Sequence, residues 1–247
     1  MPMTAQGKDY YFKFRSLFYI READVAGEFR PLGLVDTATL TFNETVDRLK
    51  DVRRSAGGSA SVDREIESGE LTLTLREGTP ENFSIGWLAT QANVVSGSVT
   101  AQPHTVNPGD FVYVGHTDIS NVVVTGTGGT PTYALNTDYT ANESGVFIVP
   151  GGAIAGATDI EIDLDYGDQD TLDLLSASAK TWEILATAEN KVQGGAPSVL
   201  QLFKVRFGPT QSFAIQGGAE HGSNQITGEI LNHPTKGWGK WRNRAIV

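Results

Sequence analysis

Four groups of side chains are candidates for chemistry. The first is a carboxylate ladder, Asp159, Glu161, Asp163 and Asp165, continuing to Asp168 and Asp170. Hard cations take oxygen ligands, so a calcium site is one reading. Ligands alternating along a strand lie about 7 Å apart, however, too far for one ion to collect them all. A solvated, self-repelling face that discourages edge-to-edge aggregation fits the spacing better. The second group is Glu220 beside His221, an acid/base pair with neither nucleophile nor second carboxylate. The other histidines, His104, His116 and His233, lack metal-ligand spacing. The third is GTGGT at 126–130, which has glycines but not the lysine and following helix of a phosphate loop, and reads as a turn. The fourth is the basic cluster Arg48, Lys50, Arg53 and Arg54, interleaved with Glu44, Asp47 and Asp51. Mixed charge makes it a poor nucleic-acid patch; it suits either a contact with a protein surface carrying both signs or a plain solvated loop. No HExxH, GxSxG, Walker or dinucleotide pattern occurs. The expectation is a protein that is not an enzyme and uses no cofactor or metal.

The elements that position these groups are mostly strands, because period-two alternation dominates. In 37–42 (TATLTF), Ala38, Leu40 and Phe42 oppose Thr37, Thr39 and Thr41 as in a half-buried strand. In 59–66, Ala60, Val62, Arg64 and Ile66 oppose Ser59, Ser61, Asp63 and Glu65, and after Gly69 the apolar Leu71, Leu73 and Leu75 oppose Glu70, Thr72 and Thr74. Between these strands, 45–58 reads as a long charged loop with a Gly-Gly hinge. The stretches 181–188 and 198–207 alternate in the same way. One helix is signalled by Thr79 as N-cap, Pro80 at the first position and Glu81 at the positive end, with Phe83, Trp87 and Leu88 on one face.

Composition bounds the architecture. The 247 residues suffice for one large or two small domains, and no cysteine is present to staple them. No signal peptide or membrane-spanning run is read. Net charge is −10, yet no Lys or Arg occurs between Glu77 and Ala179. This disfavours tight nucleic-acid binding, which needs clustered bases to displace counterions. Residues 93–178 also change character, with short candidate strands at 111–114, 122–125, 132–135, 146–149 and 158–166. They read as a small acidic β-domain inserted into a discontinuous β-sandwich formed by 1–92 and 179–247.

In order along nearly the whole chain, several stretches resemble the major tail tube protein of long, non-contractile bacteriophage tails. They are GKDYYFKFRSLFYIRE, PLGLVDTATLTFNE, VDREIESGELTLTLRE, TPENFSIGWLA, the central TPTYALNTDYTANESGVFIVPGGAI and ATDIEIDLDYG, then TWEILATAENKVQGGAPSVLQLFKVRFGP and ITGEILNHP. The resemblance implies a mainly β tail-tube fold, a β-sandwich or partial barrel with one short flanking helix and, here, an inserted β-domain on the tube exterior. It implies a structural virion protein, made in the host cytoplasm, that assembles into hexameric rings stacked as the conduit for genome ejection. The implied partners are further copies of itself, the tape-measure protein, and tail terminator and baseplate proteins. DNA is met only in passage and no membrane is involved. In this reading the ring-stacking loop carries Asp47, Arg48, Lys50, Asp51, Arg53 and Arg54, and the lumen is lined by Thr37, Thr39, Thr41, Asp63, Glu65, Glu70, Thr72 and Thr74.

Two other readings stay open. A tail-end or baseplate ring protein of similar fold would be present in few copies per particle instead of hundreds. An extracellular carbohydrate-binding β-sandwich could use Trp238 and Trp241, although these could equally bury against the sandwich or a neighbour.

Overall fold

Alternation becomes strand almost throughout a computed structural model that describes residues 13–50, 59–191, 195–210, 213 and 222–243. In chain order come β1 (Phe14–Glu22), β2 (Arg30–Pro31), β3 (Val35–Lys50), β4 (Ser59–Leu75), the helix α1 (Pro80–Trp87) and β5 (Thr90–Val94). Then follow β6 (Gly97–Val106), β7 (Phe111–Tyr113), β8 (Ile119–Gly126), β9 (Tyr139–Ala141), β10 (Gly145–Ile148), β11 (Thr158–Tyr166) and β12 (Gln169–Asp173). The last are β13 (Thr181–Asn190), β14 (Ala196–Phe207), β15 (Asn224–Ile230) and β16 (Gly239–Asn243). The protein is mainly β, of the β-sandwich class, and among the described residues none of its sheets closes into a barrel. No helix among the described residues is long and apolar enough to cross a membrane.

Two compact units form, Met1–Thr90 with Leu172–Val247, and Gln91–Thr171. The sequence boundary of 93–178 differs at its far end, because Leu175 and Ala177 donate backbone hydrogen bonds to Trp87 and Leu88 of the first unit. In that unit one sheet runs β2-β1-β13-β14-β15-β4-β3. Strand β14 makes its corner, pairing with β16 over 198–202 and with β15 over 205–207 on the same side. Its core gathers Leu71, Leu73 and Leu75 from β4, Ile226 and Ile230 from β15, Val205 and Phe207 from β14, and Ile20 and Ile184 from β1 and β13. Each such side chain contributes roughly 1.5–3 kcal/mol by leaving water, which fixes the face that β4 and β15 turn inward.

Helix α1 starts as its sequence dictates. Thr79 is extended (φ −78°, ψ 150°), its side chain accepts from the Asn82 N–H, and Pro80 opens the first turn. The buried face differs from the expected Phe83, Trp87 and Leu88, for it is Asn82, Ile85 and Gly86 that are buried. Asn82 tolerates burial because its amide donates to the Leu32 carbonyl and accepts from Arg30. Gly86 permits close approach, since a Cβ there would meet Ile226 and Thr210. Phe83 and Trp87 stack on each other instead, centroids 4.5 Å apart.

In the second unit two three-stranded sheets, β6-β11-β8 and β7-β10-β9, contribute to one core that includes Val106, Val124, Val146, Ile148, Ile160, Ile162 and Leu164. Strand β6 has no counterpart in the expected strands; Pro103 and the left-handed Ala101 (φ 52°) interrupt its alternation. Residues 132–135 form only isolated bridges rather than a strand. There the Asp138 carboxylate accepts from the backbone N–H groups of Ala134 and Ala153, and the first of these, then the second, holds its carboxyl below the usual carboxylate range.

Candidate assembly surface

The longest feature of the first unit is a ribbon of β3 and β4, and alternation divides it into two unlike faces. Register pairs Thr37 with Thr74, Thr39 with Thr72, Thr41 with Glu70, and Asn43 with Ser68. A bulge then leaves Glu67 unpaired, and beyond it Thr45 opposes Glu65 and Asp47 opposes Asp63. All these residues share one face by period two. Hydroxyls tie it across the strands, Thr37 Oγ1 donating to Thr74 Oγ1 and Thr45 Oγ1 to Glu67, each at 2.8 Å. The face continues onto β15, where Gln225, Thr227 and Glu229 oppose Thr74, Thr72 and Glu70, and reaches β14 at Arg206, opposite Glu229. Glu70, Thr72, Gln225, Thr227, Glu229 and Arg206 border a concavity of about 1030 Å³. Two like-charged pairs stand directly opposite each other here, Asp47 with Asp63 and Glu70 with Glu229. Such pairs cost stability, so this face is not built for stability alone.

The opposite face of the ribbon mixes apolar side chains with Glu44, Arg48 and Arg64, and among the described residues nothing covers it. Phe42, Val62 and Ile66 are 55%, 47% and 63% exposed, with Val46 beside them and a surface ion pair from Arg64 to Glu44 at 3.1 Å among them. Where the ribbon meets the body, Ala38 and Leu40 border an apolar groove of about 280 Å³ whose other walls include Phe14, Phe18, Leu200 and Trp241. The strand expected to be half-buried is therefore exposed over almost its whole length, because β3 is the outermost strand of its sheet. Among the described residues no strand pairs with its outer edge.

The charged excursion also differs from the expected loop. Residues 45–50 continue β3 and pair with residues 59–65 of β4, so Asp47, Arg48 and Lys50 sit on a strand. Asp51, Arg53 and Arg54 lie outside the described residues. Thr37, Thr39, Thr41, Glu70, Thr72 and Thr74 form one contiguous patch, and Asp63 and Glu65 extend the same face along the ribbon. The expected set lacked Asn43, Ser68, Gln225, Thr227 and Glu229. The signal was present in NQITGEI, where Gln225, Thr227 and Glu229 alternate with Ile226, Gly228 and Ile230.

The remaining chemical candidates resolve into local structure. The ladder carboxylates bond across strands, Asp159 accepting from Thr105, Asp163 from the Ala101 N–H, and Asp165 from Ser98 and Asn121. Among the described residues no cluster of three His, Cys, Asp or Glu side chains is placed to hold a metal ion. In GTGGT, Gly128 and Gly129 adopt positive φ (79° and 84°) and the Gly129 N–H closes a turn onto Gly126. His233 Nδ1 accepts from the Thr235 and Lys236 N–H groups, so its Nε2 donates to Asp24 at 2.8 Å, an arrangement that fastens a turn. Glu220 and His221 lie outside the described residues. Trp238 packs against the core, whereas Trp241 is half exposed and meets Phe14 edge to face.

The chain belongs to the family described as protein of unknown function UCP028589, whose sequence model matches residues 11–241. No curated protein matches the chain in sequence.

Proposed function

We propose that this member of a family of unknown function is a structural subunit that assembles with copies of itself into stacked rings, the tail tube of a bacteriophage. The observation that carries the reading is the two-faced β3–β4 ribbon, whose outer edge no strand among the described residues pairs. An edge 16 residues long is a template for pairing with another chain, and an isolated monomer would have to protect it. Its exposed Phe42, Val62 and Ile66 give an incoming subunit apolar area to bury. A partner surface that differs from the ribbon itself makes the contact head-to-tail, and head-to-tail contacts close into rings when the rotation allows.

The other face supplies what a conduit for DNA needs. Threonine hydroxyls with Asp47, Asp63, Glu65, Glu70 and Glu229 form a wetted, mostly anionic lining. Opposing phosphates are repelled within a Debye length of about 8–10 Å, so DNA passes without adhering. The tape-measure, terminator and baseplate proteins are the further partners of this reading. Negative-stain microscopy and sedimentation of the purified full-length chain test it. Rings or tubes are expected as concentration rises; a protein that stays monomeric, alone and with its phage's tape-measure protein, overturns it.

A further inference from the structure

Strand β6 of the second unit combines several irregularities. It lies at the edge of the β6-β11-β8 sheet, Pro103 withholds a backbone N–H from it, Ala101 adopts φ 52°, and its register on β11 slips between Ile162 and Leu164. Gln102 and His104 flank the proline and oppose Ile162 and Ile160, which are 0% and 1% exposed. Directly paired residues share a face, so both side chains turn to the core side of the sheet. Each brings a polar atom that finds no partner there. Gln102 Nε2 donates to the Val114 carbonyl at 3.4 Å and leaves Oε1 buried and unbonded, and His104 Nε2 is buried and unbonded on the same face. Among the described residues these are the only buried side-chain nitrogen or oxygen atoms of the second unit that lack a hydrogen bond. Native cores leave few such atoms, and two together on one edge strand ask for a cause beyond packing.

A neutral imidazole can keep its one proton on Nδ1 and leave only a lone pair at Nε2. A second proton must then go to Nε2, where it makes a charged donor with no bonded acceptor. Burial accordingly holds His104 below the usual imidazole range. No counter-ion relieves it. Asp159, Glu161, Asp163 and Asp165 of β11 alternate onto the other face, Asp110 accepts from Asn107, and Asp138 accepts from Ala134 and Ala153. Strand β8 brings no titratable side chain. The other titratable groups of this core are the phenols of Tyr133 and Tyr139, and Tyr139 donates its hydroxyl to the Val122 carbonyl. We infer that β6 is a proton-released edge strand, closed on β11 while His104 is neutral and detached once His104 takes up a second proton and turns to water. The detached strand lets His104 titrate near the ordinary value of about 6.5, so the closed form is fully favoured above that value and loses ground as pH falls through it. The edge of β11 uncovered in this way carries four carboxylates, which blunt pairing with another chain.

The device lies wholly within the second unit and is independent of tube assembly. NMR of the full-length protein between about pH 7.5 and 5 tests it, reading the His104 ring and amide exchange corrected for intrinsic rates. The opening constant of the β6 amides should rise up to about 30-fold over that span, the factor that linkage gives a histidine binding its proton only in the open form. Strands β13 and β14 of the first unit should keep their protection. His104→Phe fills the place without a proton site and should hold β6 equally closed at both ends of the span. His104→Gln makes the same comparison should the phenylalanine variant fail to fold. The proposal is overturned if β6 exchange in the parent does not change with pH, or if it rises equally in a variant that cannot take up the proton. It is overturned equally if the protonated ring bonds to Gln102 and β6 gains protection in acid.

Discussion

Asp138 joins two segments of the second unit by accepting backbone hydrogen bonds from Ala134 at 2.8 Å and Ala153 at 2.7 Å. Those donors favour the ionised form and depress its pKa, so its stabilisation is present above the unfolded-state value of about 3.9 and is lost as pH falls through the folded one. Asp138→Asn should therefore be destabilising at pH 7, and the gap in melting temperature from the parent should narrow below about pH 4. Glu183 illustrates a different limit of residue patterns. Alternation assigns it to the outer side of β13 with Thr181 and Leu185, and there it opposes Arg21 of β1. It is nevertheless only 2% exposed, because Arg21 and Gln201 both donate to it and cover it. Period two gives a direction but not what a neighbouring strand brings on top. Glu183→Ala should cost about 1–3 kcal/mol in urea unfolding by stranding both donors.

At the scale of elements, strands with unmixed faces were legible and those held by pairing were not. Leu71, Leu73 and Leu75 against Glu70, Thr72 and Thr74 specify β4 unambiguously, and 158–166 coincides with β11. The stretch from Thr45 to Lys50 mixes charge on both faces, so it reads as loop; its strand conformation comes from register with residues 59–65, a long-range contact. Likewise β6 is hidden by Pro103 and a backbone turn at Ala101, yet is held by β11. The exposed apolar side chains on one side of the β3–β4 ribbon make a direct prediction. Phe42→Ser combined with Ile66→Thr removes exposed apolar groups, so folding stability should change by less than about 0.5 kcal/mol for each substitution. Ring or tube formation, followed by sedimentation, should be lost. Variants that assemble as the parent does would remove this face from the interface.

For the whole molecule, charge and polarity are segregated. The second unit carries the full net charge of −10, while the first is balanced overall yet concentrates carboxylates and threonines on one face of its sheet. The acidic centre was visible from the missing Lys and Arg, and the polar face from β3 and β4. Its full width was not, because β15 joins it from more than 140 residues away in sequence. In the proposed assembly this face lines a channel. A cryo-electron microscopy reconstruction of the assembled protein decides whether it does. The rows Thr39–Thr72–Thr227 and Thr41–Glu70–Glu229 should face the lumen, with β3 paired to the adjacent subunit. A closed assembly in which those rows face outward, or lie buried between subunits, would contradict it.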